Sequence, residues 1–246
     1  MITVSIVSHS HGDMVTGVVN QLLTFPEVSR IVITLNVPEA WDMADNPRVH
    51  VIRNASPKGF GANHNAAYKH VGGNDWFCVL NPDIEFKDNP FPTLLECMQD
   101  TRAGIVAPAI LDVQGTLADS ARYFPTPIGL LKKALGRGDG RYAYQLGDAA
   151  LAVDWVAGMF LLFKTTTFAR LGGFDERYFL YYEDVDICAR AHQLNEPVIL
   201  CPACAAIHDA RRASRKSLRF LSWHLSSMAR FFIKRYLSKN RGLTPI

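Results

Sequence analysis

The chain has 246 residues, 48% of them apolar and 20% charged, which suits one sizeable α/β domain of ordinary soluble composition. The longest apolar run, residues 155–163 (WVAGMFLLF), is far short of the roughly 18 residues that cross a bilayer. Residues 1–8 lack the basic start and apolar core of a signal peptide, so a cytosolic protein with peripheral membrane contact is expected. The net charge of +3 is unevenly placed: ten of the 26 basic residues follow Asp209, where no acid occurs, which leaves 16 basic against 23 acidic residues before that point. A basic tail on an acidic body implies an anionic partner at one end.

Residues 2–7 (ITVSIV) read as a buried parallel strand, 12–23 as a helix, 30–35 and 49–53 as strands, 61–70 as a helix, and 76–80 (WFCVL) as a fourth strand ended by Asn81-Pro82. Strands alternating with helices predict crossover units in a doubly wound sheet, whose ligands sit at the carboxyl ends of the strands. Further on, 90–100 reads as a helix, 104–111 as one or two strands, 126–145 as a mobile loop around GRGDGR, 153–163 as a strand, 183–193 as a helix and 196–201 as a strand. Residues 214–237 read as a long amphipathic helix. The five cysteines are Cys78, Cys97, Cys188, Cys201 and Cys204, an odd count that fits a reducing compartment. Cys201 and Cys204 have CxxC spacing, but only His208 is near as a further ligand, so two small buried residues are expected there.

Four clusters carry candidate chemistry. In residues 54–65 (NASPKGFGANHN), Gly59 and Gly61 allow a tight strand-to-helix turn whose free N–H groups could face a phosphate, although the same glycines also make a plain turn. Asn81-Pro82-Asp83 puts a carboxylate just past a buried strand, where it can hold a divalent cation against a diphosphate or simply close a turn. Residues 174–186 (FDERYFLYYEDVD) interleave five acids with five aromatics, and Glu183 and Asp184 would open a helix whose dipole favours an ionised base. His208 with Arg211, Arg212 and Arg215 could bind a metal or a diphosphate, or form a solvated basic loop.

The order of these clusters resembles the family-2 glycosyltransferases of the GT-A fold, and among them the bacterial rhamnosyltransferases of O-antigen and cell-wall assembly. The matching segments are VSIVSHSHGD, NASPKGFGANHNAA, VLNPDI, DSARYFP, VDWVAGMFLLF, GGFDERYFLYYEDVDICAR and AIHDARRASRKS followed by RFLSWHLSSMARFFIKRY, nearly the whole chain. The resemblance implies an α/β GT-A domain over residues 1–210, with a nucleotide-sugar half (1–110) and an acceptor half (111–210), followed by a basic amphipathic extension (211–246). It implies that Asp83 and His208 hold Mg²⁺ or Mn²⁺, with Asn81 in place of the first acid of a DxD motif. It makes Asp184 the base, supported by Glu183. Ser8, His9, Asn36, Asn54, Gly59, Gly61, Asn63 and Asn65 would contact the donor nucleotide, Arg212 and Arg215 its diphosphate, and Trp155 and Gly158 the acceptor. Asn36 stands where relatives often carry an acid that reads the base, which leaves uracil and thymine open.

The implied reaction is inverting transfer of L-rhamnose from dTDP-L-rhamnose, or of another sugar from a UDP-sugar donor, to a polyprenyl-diphosphate-linked saccharide in lipopolysaccharide biosynthesis. The enzyme would work at the inner face of the cell membrane and contact anionic lipid through the C-terminal helix, where Lys and Arg lie among Trp and Phe; the same apolar stripe could equally pack on the domain. A sugar nucleotidyltransferase is the rival enzyme, but residues 8–13 (SHSHGD) lack the Lys or Arg such a loop carries after the first strand. A nucleic-acid-binding module is disfavoured by the acidic body, and a silent sugar-nucleotide-binding partner by the intact Asp83, Glu183 and Asp184.

Overall fold

A computed structural model describes residues 1–41, 43, 46–209 and 218–240. The strands are β1 (Ile2–Ser8), β2 (Val28–Leu35), β3 (Val49–Arg53), β4 (Trp76–Leu80), β5 (Ile84–Glu85), β6 (Ile105–Leu111), β7 (Ala121–Arg122), β8 (Leu151–Ala152), β9 (Trp155–Val156), β10 (Phe160–Lys164) and β11 (Val198–His208). The helices are α1 (Asp13–Thr24), α2 (Phe60–Tyr68), α3 (Phe91–Asp100), α4 (Pro127–Ala134), α5 (Thr165–Arg170), α6 (Glu183–Gln193) and α7 (Leu218–Asn240).

Eight strands lie in the order β3-β2-β1-β4-β10-β6-β11-β5, with β8 added beside β11. The first four are parallel, and β10 then runs antiparallel between β4 and β6, so the sheet is mixed rather than fully doubly wound. In β1, Ile2, Val4 and Ile6 are fully buried, and so are the alternating Thr3 and Ser5. Both faces of a central strand are therefore covered, as a strand in a helix-flanked sheet requires. On one face Val15, Val18, Val19 and Leu22 of α1 and Leu94 and Met98 of α3 pack on the sheet. On the other, Phe168 of α5 and Ile187 and Ala191 of α6 pack on Phe77, Val79 and Phe163. The inward positions expected for Ile187 and Ala191 hold, and α6 spans the expected residues.

Two expectations fail. Residues 126–145 are not simply a loop, because α4 begins there: Thr126 Oγ1 accepts from Gly129 N at 2.9 Å, and Pro127 takes the first helical position. A Thr-Pro start is a helix signal in its own right, but it is masked in the sequence by the glycine-rich GRGDGR that follows. Residues 153–163 are not one strand either. They break at Ala157–Met159 into β9, paired with β7, and β10 in the main sheet. Gly158 sits at that break, and the break is where the site forms. All five cysteines are free thiols; Cys201 and Cys204 lie within β11, where Cys201 is buried as expected but Cys204 is only half-buried.

Candidate active site

The carboxyl ends of β1, β2 and β3 bring one group of the expected residues together. Ser8 is buried at the end of β1, and its Oγ accepts from His11 N at 3.2 Å. Asn36 follows β2, and its N–H donates to Ser8 O at 2.9 Å. Its side-chain Nδ2 lies 3.3 Å from His9 Nδ1 and donates to Lys58 O at 2.9 Å, while its Oδ1 accepts from Lys58 N and from Asn54 Nδ2. Asn54 Nδ2 also donates to Asn63 Oδ1 at 2.7 Å. Asn36, Asn54 and Asn63 thus form a closed amide network that fixes the loop between β3 and α2. His64, on the same helix, is fully buried beside Ser5 Oγ at 2.8 Å, and burial pushes its pKa down to about 3, which keeps it neutral.

Asn65 and the two glycines do not fit the roles the sequence suggested. The Asn65 amide faces the 173–176 segment: Phe174 N donates to its Oδ1 at 2.8 Å, and its Nδ2 donates to Phe174 O and Glu176 Oε1. That makes it a clamp on the scaffold rather than part of the amide network. Gly59 has an ordinary extended backbone, so no unusual turn requires it. What requires it is close approach, because a Cβ there would lie 2.8 Å from Phe179 O. A Cβ on Gly61 would lie 2.5 Å from the Phe174 Cβ. Both glycines let α2 lie directly against the 174–179 segment, and Phe60 N donates to Phe179 O at 2.9 Å across that contact.

Asn81, Asp83 and His208 meet at the end of β4. His208 Nε2 is 3.2 Å from Asp83 Oδ1 and 3.5 Å from Asn81 Nδ2. Asp83 Oδ1 is buried and makes no hydrogen bond. His208 Nε2, when unprotonated, and Asp83 Oδ1 thus lie side by side at the end of β4, with the Asn81 amide next to them. Such a pair fits a divalent cation that takes its other ligands from water and phosphate oxygens. Among the described residues no cluster of three or more His, Cys, Asp or Glu is poised to hold a metal. Arg212 and Arg215 lie outside the described residues.

The second carboxylate pair is tied to the same strand end. Asn81 N donates to Met159 O at 2.9 Å, and Gly158 N, one residue earlier, donates to Asp184 Oδ2 at 3.0 Å. Val185 N donates to Asp184 Oδ1. Asp184 is therefore gripped by two backbone amides at the N-terminus of α6. Burial raises its pKa, and these two hydrogen bonds oppose the rise. Glu183 is buried more deeply, its Oε2 has no partner, and burial followed by repulsion from Asp184 pushes its pKa well up. When two buried carboxyls compete, the one with amide donors ionises first. That one is Asp184, and Glu183 is the one whose protonated form burial favours.

The turn that presents them is strained. Tyr181 and Tyr182 have φ of 71° and 66°, left-handed values unfavourable for bulky residues. Packing from α7 holds the turn. Tyr182 stacks near Phe231 and His224, Tyr181 meets His224, and Ser227 Oγ donates to Leu180 O at 2.9 Å. Lys234 Nζ donates to Asp186 Oδ1 at 2.5 Å and Asp175 Oδ2 at 3.0 Å, while Arg190 Nε donates to Asp186 Oδ2. Asp184 and Trp155 open into a cavity of about 710 Å³ whose wall also includes Arg122, Lys133, Arg137 and Arg235. These cations were not singled out from the sequence; Lys133 and Arg137 stood in the segment read as a loop.

Residues 14–146, more than half of the chain, match the family model for glycosyl transferase family 2. The chain belongs to glycosyltransferase family 2. This glycosyltransferase is 28% identical to the rhamnosyltransferase WbbL of Escherichia coli over all of its own length and 98% of that protein. It is 30% identical to an N-acetylglucosaminyl-diphospho-decaprenol L-rhamnosyltransferase of Mycobacterium tuberculosis, over 77% of this chain and 68% of that one. The GT-A fold recurs in GalNAc-T7 with UDP, GalNAc and Mn²⁺ (TM-score 0.65, 17% identity, 86% of this chain and 44% of that one). It recurs also in Staphylococcus aureus TarS in complex with UDP (TM-score 0.61, 12% identity, 85% of this chain and 60% of that one).

Proposed function

We propose that the enzyme transfers L-rhamnose, with inversion, from dTDP-L-rhamnose to a hydroxyl of a polyprenyl-diphosphate-linked saccharide in cell-surface polysaccharide synthesis. The reading rests on one observation above all. Asp184, the more readily ionised of two adjacent carboxyls, is fixed by the Gly158 and Val185 amides at the edge of a large cavity and joined through Met159 to the strand end that carries Asp83. The rhamnosyltransferase names of both relatives support the donor sugar, and the diphospho-decaprenol in the second supports a lipid-diphosphate acceptor. UDP in two structural neighbours keeps a UDP-sugar as the second donor reading.

In this mechanism the nucleotide lies over the carboxyl ends of β1 and β2, beside Ser8, His9 and the Asn36–Asn54–Asn63 network. Asp83 and His208 would hold a divalent cation, which supplies neutralisation of charge on the leaving diphosphate. The acceptor enters from the cavity past Trp155. Asp184 takes the proton of the acceptor hydroxyl, that oxygen bonds to the anomeric carbon, and the bond from that carbon to the diphosphate oxygen breaks on the opposite face. Neutral Glu183 keeps a second negative charge away from the base. The enzyme works at a membrane surface. Leu218, Leu221, Leu225, Ile233 and Tyr236 lie along the exposed side of α7, opposite the side that Ser227 and Phe231 dock on the domain, so one helix can face both protein and lipid. No described helix is long and apolar enough to cross a membrane.

The deciding experiment measures nucleotide binding and turnover of Asp184→Asn with dTDP-L-rhamnose and a lipid-diphosphate N-acetylglucosamine acceptor. Retained donor affinity with turnover reduced about 10²–10⁴-fold is expected for loss of a general base. Near-normal turnover would refute the assignment.

A further inference from the structure

The cavity beside Asp184 has a wall whose charge the transfer chemistry alone does not explain. Arg122, Lys132, Lys133, Arg137 and Arg235 line it, with His224 from α7. Some of this charge is answered: Arg122 Nε donates to Asp119 Oδ1 at 2.7 Å, and its Nη1 donates to Asp139 O. Arg141, just outside the wall, lies 3.2 Å from Asp139. Lys132, Lys133 and Arg137 form no ion pair among the described residues. The Lys133 pKa is lowered, first by burial and then by repulsion from Arg122, and the His224 pKa is lowered by burial and by Lys133. Although Asp139 and Asp154 also line the cavity, Lys132, Lys133 and Arg137 are left without a carboxylate partner at ion-pair distance among the described residues, which suits an anionic ligand.

The helix that supplies two of them has a second face. On α4 and its C-cap, Ile128, Leu131 and Leu135 are 69%, 61% and 61% exposed, and their spacing puts them on one side of the helix. Lys132 and Lys133 point into the cavity wall from the same two turns. Helix α7 contributes His224 and Arg235 to the same wall and exposes Leu221 and Leu225. A polar, cationic chamber bordered by exposed apolar residues on two helices suits a ligand with an anionic head and a hydrocarbon tail. Asp184 lines the same cavity, whose volume of about 710 Å³ has room for the sugar that joins head to reacting hydroxyl.

We propose that Lys133 and Arg137, with Lys132 beside them, bind the diphosphate of the polyprenyl-diphosphate acceptor, and that Ile128, Leu131 and Leu135 rest in the lipid around its tail. The assignment rests on the acceptor reading given above and adds the residues that read the acceptor's head. A diphosphate is also part of the donor, so the test must separate the two sources. Calorimetry of the full chain would use farnesyl diphosphate and farnesyl monophosphate as acceptor-head probes, and dTDP and UDP with Mn²⁺ as donor probes, on wild type and on the K133Q/R137Q double variant.

The wild type should bind farnesyl diphosphate about tenfold more tightly than the monophosphate, and the double variant should lose about tenfold or more of the diphosphate affinity, as expected for two lost charge-assisted contacts. Nucleotide affinity should stay within about twofold, since nothing in the wall belongs to the β1–β4 strand ends. Undiminished farnesyl diphosphate binding in the variant overturns the proposal, and so does a wild type that ignores the second phosphate. An equal loss of nucleotide affinity assigns the wall to the donor and overturns it too. If nucleotides bind while farnesyl diphosphate does not, the transferase reading stands and only this inference falls. If neither nucleotide binds the wild type, the transferase reading itself fails. Both substituted side chains are exposed, so the variant should melt with the wild type; K133Q alone repeats the measurement if it does not.

Discussion

Among single residues, Glu183 and Asp184 differ in what they can do although they are neighbours in sequence. Sequence placed both at a helix start, but not which of the two ionises. That depends on Gly158 N and Val185 N reaching Asp184, and Gly158 is brought there by a chain break that apolar composition hides. Glu183→Gln is nearly isosteric and mimics the protonated form that burial favours at this position, so kcat should fall by no more than about threefold, against the 10²–10⁴-fold expected for Asp184→Asn. The raised Asp184 pKa puts the acid limb of kcat/KM above the ordinary carboxylate range: activity falls as pH drops through that value and the base takes up its proton. Stability behaves the opposite way. A carboxyl with a raised folded pKa is best accommodated when protonated, so its contribution is complete below the unfolded value near pH 4.5 and is lost as pH rises through the folded one. Melting curves should therefore show Glu183→Gln gaining on wild type as pH rises above 4.5, by up to about 1.4 kcal/mol per pH unit. A parallel pair of curves would mean that Glu183 is ionised throughout. Asp83→Ala should bring dTDP affinity in Mn²⁺ down to the level seen with EDTA, and the chelator should then have no further effect.

For whole elements, the glycines of α2 show how a motif can be legible while its reason is not. Residues 59–61 were recognisable as a junction, but their proximity to Phe174 and Phe179 depends on a contact more than a hundred residues away in sequence. Gly61→Ala should cost about 1–3 kcal/mol through overpacking against Phe174, read as a fall in Tm, with little change in donor affinity once folded. The segment it packs against has its own need for glycine. Gly173 has a φ of 70°, and a Cβ there would lie 2.4 Å from Asn65 Oδ1. The continuous apolar, β-branched runs of β1, β2 and β4 and the period of α6 made the first half of the sheet and the helix carrying Asp184 readable in advance. The antiparallel insertion of β10 was not, because a fully apolar strand carries no mark of its direction. The sequence of helix α7 suits either a membrane face or an apolar stripe packed on the domain, and its inner side does pack, holding the strained Tyr181–Tyr182 turn. Left-handed bulky residues cost about 1–3 kcal/mol each and persist only where packing fixes them. Phe231→Ala should therefore lower Tm and also reduce kcat, leaving the dTDP Kd unchanged. An unchanged kcat in the folded variant would show that the turn holds itself.

At the level of the whole molecule, α7 lines the cavity that Asp184 enters and also carries exposed apolar residues, and this constrains how membrane binding can be tested. Deleting the C-terminal extension would remove Phe231, Ser227 and Lys234 together with the lipid-facing residues, so loss of activity would not distinguish lost docking from lost membrane contact. Substitution on the outer face does distinguish them. Leu221, Leu225 and Ile233 are exposed, so changing all three to Ser should leave Tm almost unaltered, as surface changes usually do. If that face enters the lipid, each side chain contributes about 1.5–3 kcal/mol on burial, and sedimentation with vesicles containing anionic phospholipid should fall by about tenfold or more. Turnover on a water-soluble acceptor should persist while turnover on a long-chain acceptor in vesicles drops. Salt separates the remaining contribution. Attraction between the basic tail and anionic headgroups is screened within a Debye length of about 10 Å at 0.1 M, so 0.5 M salt should weaken binding of wild type and triple variant by the same factor. If salt releases the wild type completely and the serine substitutions change nothing, the tail only hovers over the headgroups and the apolar stripe on α7 stays in water.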